Sequence, residues 1–261
     1  MTSLIAWLAV DNRGPSSVYL ASDSRFSGGG SKWDCGRKLF ACKKSPDIFA
    51  YCGAVLFPTV ILGQLDEGLV FSANLTPLER FETITVKIKE SLQNFPEAQH
   101  GFSIVYATRD GLGFGASFFV ATLTWQPSYG WKTQLTPTPD HSDLLLAYGS
   151  GATVTKEFHS AWQTSEVHRT SRAVFSAFCD AIASGRDIYS GGPPQLVGIY
   201  LRGHVRSFGV IHNGSCFLNG LLANPPTSSN IECRNSLFEP CDPDGKPNAQ
   251  RHARPNRLKR S

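Results

Sequence analysis

Apolar and polar positions divide the chain into short runs that read as strands and longer periodic stretches that read as helices. Residues 3–10 form the first apolar run and Val18–Ala21 the second, with the polar DNRGPSS segment between them, which predicts two paired strands. The glycine-rich stretch 26–36 reads as a loop, and Lys38–Cys42 with Ile48–Cys52 as a second strand pair around a KKSPD turn. Val55, Thr59, Leu62, Leu65 and Leu69 recur at helical spacing, with Pro58 restricting the helix to begin near itself. Thr76 and Pro77 supply an N-cap and a first-turn proline for a clearer helix carrying Leu78, Phe81, Ile84, Ile88 and Leu92. Residues 102–109 and 112–125 read as strands, 127–140 as a proline- and glycine-punctuated excursion, and 144–148 as another strand. Helices over 152–163 and 169–184 follow, then a strand pair at 195–201 and 204–211 turned at RGH. The order of strands, two helices, strands, two helices and strands fits a layered α+β architecture, with helices covering packed antiparallel sheets.

Composition changes the picture mainly at one end. The chain has 261 residues, 41% of them hydrophobic, which supports one substantial core and excludes a mainly disordered or fibrous protein. The net charge of +4 resides in residues 246–261, whose six Lys or Arg and absent acids leave 19 basic against 21 acidic residues, or −2, in the rest. The expected organisation is one domain over 1–224 and an irregular extension with a basic tail over 225–261. That tail reads as a solvated charge run rather than a nucleic-acid arm. The opening MTSLIAWLAVDNR has no basic n-region and too short an apolar run for a signal peptide or membrane helix. The seven cysteines are scattered and odd in number, without close CxxC pairs, and most read as buried thiols. A reducing, cytoplasmic location is expected, with no membrane partner. The dispersed histidines show no HExxH, and the glycine-rich segments complete neither a phosphate loop nor a dinucleotide fingerprint, so no metal or nucleotide cofactor is expected.

The candidate chemistry begins at Thr2. Removal of Met1 would place a free α-amine and a hydroxyl on one residue, so that the amine can take the proton as the hydroxyl attacks a carbonyl. Further residues extend this beginning. TSLIA at 2–6, ASDSR at 21–25, Lys38, Gly53, GSGA at 149–152 and RDIYSGG at 186–192 occur in an order and spacing that resemble the proteasome beta-type family of N-terminal nucleophile hydrolases, including the bacterial HslV-like proteases. The resemblance spans about residues 2–210.

It implies a four-layer α/β/β/α sandwich and a set of roles. Thr2 would be the nucleophile, with its own amine as base. Lys38 would favour the neutral amine and the developing alkoxide, Asp23 would orient Lys38, and the Gly53 N–H would stabilise the oxyanion. Ser150, Asp187 and Ser190 would complete the support around Thr2. Taken singly, Asp23 with Arg25 also reads as a surface pair, Lys38 as a snorkelling strand end, Gly53 as a turn, and Ser150 and Ser190 as a helix cap and a loop residue. The family further implies a homo-oligomer, a peptide or protein substrate and an ATP-dependent unfoldase as partner, with Met1 removed by an aminopeptidase. DNRGPSS and the 127–140 excursion are longer than in compact bacterial relatives. A catalytically inactive scaffold, or an amidase acting on a small non-protein amide, are the alternatives on the same fold.

Overall fold

The computed structural model describes residues 2–28, 30–68, 75–96, 100–223 and 231–247. The basic tail beyond residue 247 lies outside them. Along the chain run β1 (Leu4–Asp11), β2 (Gly14–Ser22), β3 (Phe26–Gly28), β4 (Ser31–Trp33), β5 (Leu39–Ala41), β6 (Asp47–Gly53), α1 (Leu56–Gly68) and α2 (Pro77–Gln93). Then come β7 (Phe102–Asp110), β8 (Ser117–Gln126), β9 (Gly130–Thr136), β10 (Asp143–Tyr148), α3 (Ala152–Trp162) and α4 (Ser171–Ala183). The chain closes with β11 (Gln195–Tyr200), β12 (Arg206–Ser207), β13 (Gly209–His212), β14 (Ser215–Leu218), β15 (Leu221–Leu222), β16 (Cys233–Arg234) and β17 (Pro240–Cys241).

One sheet has the order β10-β1-β2-β11-β12 and a second the order β5-β6-β7-β8-β9, with antiparallel pairing throughout both. The apolar run at 3–10 is nearly continuous because β1 is covered on both faces. Leu4, Ala6 and Leu8 meet Ile48, Ala50, Val105 and Val120 of the second sheet. The alternate residues Ile5 and Trp7 face Val174, Phe175 and Phe178 of α4. On the far side of the second sheet, Phe49, Tyr51 and Tyr106 pack against Phe57 and Leu62 of α1 and Phe81, Ile84 and Ile88 of α2. Each large side chain so buried contributes about 1.5–3 kcal/mol relative to exposure.

Local chemistry sets the helix starts. α1 begins at Leu56, so Pro58 falls in the first turn, where its missing N–H would have no helical partner. α2 opens on a reciprocal cap: Thr76 Oγ1 accepts from Glu79 N at 3.3 Å while Glu79 accepts from Thr76 N at 2.8 Å. Thr76→Ala is expected to cost about 1 kcal/mol, read as a lower urea midpoint at unchanged slope.

Several segments depart from the sequence expectation. The 26–36 loop folds into the β3–β4 hairpin, across which Phe26 and Trp33 pack edge to face at 5.5 Å. Within the 127–140 excursion, β9 adds an edge strand to β8, and Trp131 reaches both Trp125 and Phe102. The strand expected from residue 112 begins at Ser117, after a tight turn at Gly113–Gly115. The single strand expected over 204–211 is two, because the chain changes sheets at the buried Phe208: β12 pairs with β11, while β13 enters a third sheet ordered β15-β14-β13-β16-β17. The stretch after residue 225, expected to be irregular, supplies β16 and β17 to that sheet. Among the described residues, no helix is long and apolar enough to cross a membrane.

Candidate active site

The beginning of β1 lies between the end of β2, the turn before α3 and the loop between α4 and β11. Thr2 N donates to Ser150 Oγ at 3.3 Å, and Thr2 O accepts from Gly151 N at 3.3 Å. The GSG turn approaches closely enough that a Cβ on Gly149 would lie 2.0 Å from Thr2 O, and one on Gly151 would lie 1.8 Å from Ser3 Oγ. Only glycine fits at either position. Ser150 Oγ donates to Asp187 Oδ2 at 2.8 Å, and Ser190 Oγ donates to the same oxygen at 2.6 Å. Ser3 Oγ in turn donates to Ser190 Oγ at 2.8 Å, which links the two sides of Thr2 through hydroxyls and one carboxylate.

Ser3 N donates to Asp23 Oδ1 at 3.0 Å, and Lys38 Nζ donates to that same oxygen at 2.7 Å. The ammonium is therefore held one shared acceptor away from the residue that follows Thr2. Asp23 Oδ2 accepts from Arg25 N at 3.1 Å and Gly191 N at 3.0 Å. Asp23 is 0% and Lys38 1% exposed. Burial pulls the Lys38 ammonium below the ordinary lysine range, with Asp23 opposing that shift. Burial likewise pushes the Asp23 carboxyl up, against Lys38 and the N–H groups of Gly191 and Ser3. With a cation and backbone donors on its two oxygens, the anion is the form this shell is built to hold. Cys52, which interacts electrostatically with Lys38, is pushed up to about 11 by burial and stays a neutral thiol near neutral pH.

Thr2, Asp23, Lys38, Ser150, Asp187 and Ser190 thus fall in one hydrogen-bonded network. Gly53 stands apart from it. It ends β6 beside Cys52, with φ +97°, and a Cβ there would lie 2.4 Å from Gly101 O and 2.8 Å from Phe102 Cα. Three participants escaped the sequence reading. Ser3 joins the two halves of the network. Asp34 makes a two-pronged pair with Arg25 at 2.7 and 2.8 Å, and Arg25 also donates to the carbonyls of Ile188 and Ser190, bracing the 187–192 loop. Gln195, 1% exposed, donates to Asp23 O, Ser24 Oγ and Gly36 O and accepts from Lys38 N. A glutamine opening the apolar strand QLVGIY was the available signal. Gln195→Leu orphans these buried groups, and a stability loss of about 1–3 kcal/mol is expected in urea unfolding.

The fold has counterparts among solved structures. Thiobacillus denitrificans BPH in complex with epoxomicin is similar over 77% of this chain and 100% of its own, at 15% identity and a TM-score of 0.51. Thiobacillus denitrificans BPH in a second structure gives 16% identity and 0.48 over 77% and 99%, and eukaryotic HslV from Trypanosoma brucei gives 14% and 0.47 over 76% and 99%. At these identities the likeness is one of fold. No family model and no curated protein matches the chain.

Proposed function

We propose that this chain is a member of the proteasome beta-type family with a four-layer α/β/β/α sandwich, and an N-terminal threonine amidohydrolase that cleaves peptide bonds once Met1 is removed. The observation that carries this reading is the buried Lys38–Asp23 pair, at 2.7 Å, sharing Asp23 Oδ1 with the N–H of Ser3 beside the would-be terminal threonine.

In the proposed reaction, Thr2 Oγ attacks the scissile carbonyl as the neutral Thr2 amine takes the hydroxyl proton. Lys38 keeps positive charge near the amine and the forming alkoxide, which favours both the unprotonated amine and the attack. The Gly53 N–H donates to the tetrahedral oxyanion. Collapse breaks the C–N bond, the leaving amine takes the proton from the Thr2 ammonium, and an acyl ester remains on Thr2 Oγ. Water, deprotonated by the same amine, then attacks the ester, releases the acid and restores the hydroxyl. Ser150, Asp187 and Ser190 orient the terminal residue throughout. No cofactor enters this scheme. By the same family reading the protein works as a cytoplasmic homo-oligomer on peptide or unfolded protein, with an ATP-dependent unfoldase as its partner.

The test compares chains shown by mass spectrometry to begin at Thr2 with chains that retain Met1, using peptide amides with a fluorogenic leaving group. Only the processed form turns over on this account; equal activity in the Met1-retaining form would remove the terminal amine from the mechanism. The pH profile follows from the same roles. Turnover rises as the Thr2 amine, ordinarily near about 8, loses its proton, and it falls as the Lys38 ammonium titrates. Because burial lowers Lys38, that alkaline fall is expected below the ordinary lysine range in initial-rate profiles.

A further inference from the structure

Asp23 engages the Lys38 ammonium through a hydrogen bond, and an aromatic ring also stands over it: Nζ lies 5.7 Å from the ring centroid of Phe26, within the range of a cation–π contact. Phe26 opens β3, and three contacts fix its ring. Trp33, its register partner across the hairpin, meets it edge to face at 5.5 Å. The ring also packs on the buried cluster that contains Phe40 and Tyr51. The third contact is with bare backbone at Gly36, where a Cβ would lie 2.4, 2.5 and 2.6 Å from three ring carbons. Gly36 N donates to Ser24 O at 2.9 Å, which holds that backbone against the start of the hairpin. Exposure falls in step across the stack, from Trp33 at 56% through the half-buried Phe26 to Lys38 at 1%.

We propose that Phe26 is a positioning residue for the hydrolysis described above, a reading on which this inference rests: its ring keeps water off the Lys38–Asp23 pair, so that the charge of Lys38 acts on Thr2 without damping by solvent. A charge interaction weakens about fourfold between an effective dielectric of about 20 and bulk water near 80. A pair opened to solvent therefore supports the neutral amine and the forming alkoxide less. Three titratable groups act on the ammonium from the elements around it. Asp23 after β2, Asp34 after β4 and Cys52 on β6 all favour its charged form, and Asp34 is itself engaged by Arg25. Burial outweighs them and sets the direction of the Lys38 shift. Removing the ring relieves that burial, so the ammonium then keeps its proton to higher pH.

The test uses the full chain, processed to begin at Thr2 and carrying isotope-labelled lysine. The Lys38 resonance, identified by its loss in Lys38→Met, is titrated by NMR while turnover of a fluorogenic peptide amide is followed over the same pH range. Phe26→Ala is expected to raise the Lys38 midpoint and the alkaline limb of kcat together, by about one pH unit. It should also lower kcat near neutral pH about threefold or more, with KM nearly unchanged. Gly36→Ala keeps the ring but displaces it, so it should move both readouts in the same direction, and adding it to Phe26→Ala should bring no further shift. Phe26→Leu, which still excludes water, should restore most of kcat and return the limb towards its wild-type position. A Lys38 midpoint that stays in place in folded Phe26→Ala, or in Gly36→Ala should the first variant not fold, would overturn the inference, since a ring that only packs the hairpin changes the melting temperature and not the titration. A wild-type chain without turnover, in which Phe26→Ala still moves the Lys38 midpoint, would overturn the hydrolase reading and uphold the cap on the lysine.

Discussion

Thr2→Ala is expected to eliminate peptide hydrolysis by at least about a thousandfold in kcat, a conservative figure for an enzyme that loses its nucleophile. The variant keeps the fold, because the residue-2 bonds to Ser150 Oγ and from Gly151 N use backbone atoms that alanine also possesses. Thr2→Ser retains a hydroxyl and the terminal amine, so it should keep measurable turnover. Comparing kcat for the three chains, with thermal melts alongside, separates a lost nucleophile from a lost structure. Unchanged turnover in Thr2→Ala would instead assign any hydrolysis to another group.

Breaking the Lys38–Asp23 pair should damage both stability and activity. Lys38→Met leaves a carboxylate that is fully enclosed with backbone donors but without its cation, and Asp23→Asn leaves an enclosed ammonium without its anion. Removing one partner of such a pair costs about 3–5 kcal/mol, and solvent offers little relief at 0% and 1% exposure. The double variant Asp23→Asn with Lys38→Met is expected to lose less than the sum of the singles, because neither charge is then stranded. Urea unfolding of the four chains gives the coupling energy directly. In the catalytic assay, both single variants should lose turnover even at temperatures where they remain folded. That behaviour distinguishes a pair acting on Thr2 from one that only fills the core.

The layered architecture and most of the network were legible because their signals are local. Both faces of β1 are buried, so its sequence is a continuous apolar run, and Thr76-Pro77-Leu78-Glu79 encodes the start of α2 by itself. The residues that share the hydrogen-bonded network around Thr2 were singled out through spaced motifs rather than through any single residue. What escaped depends on distant partners. Nothing in the glycine-rich 26–36 stretch announces a hairpin until Phe26 can pack on Trp33, and Asp34 acquires meaning only when Arg25 reaches it. Likewise, β9 is an edge strand whose polar, exposed face hides the packing of Trp131, and the chain's change of sheet at Phe208 is fixed by tertiary packing on α4's side of the molecule. Cys216, Cys233 and Cys241 lie 17 and 8 residues apart in sequence, and the third sheet brings them into one buried cluster.

The central claim is that Thr2, once terminal, is an activated nucleophile. Its most direct measurement is the reaction of the processed, folded chain with a β-lactone, followed by intact mass and peptide mapping. Ring opening by Thr2 Oγ predicts one adduct per chain on residue 2, absent from Thr2→Ala and strongly slowed in Lys38→Met. A folded chain that begins at Thr2 and either remains unmodified or carries its adduct elsewhere would contradict it.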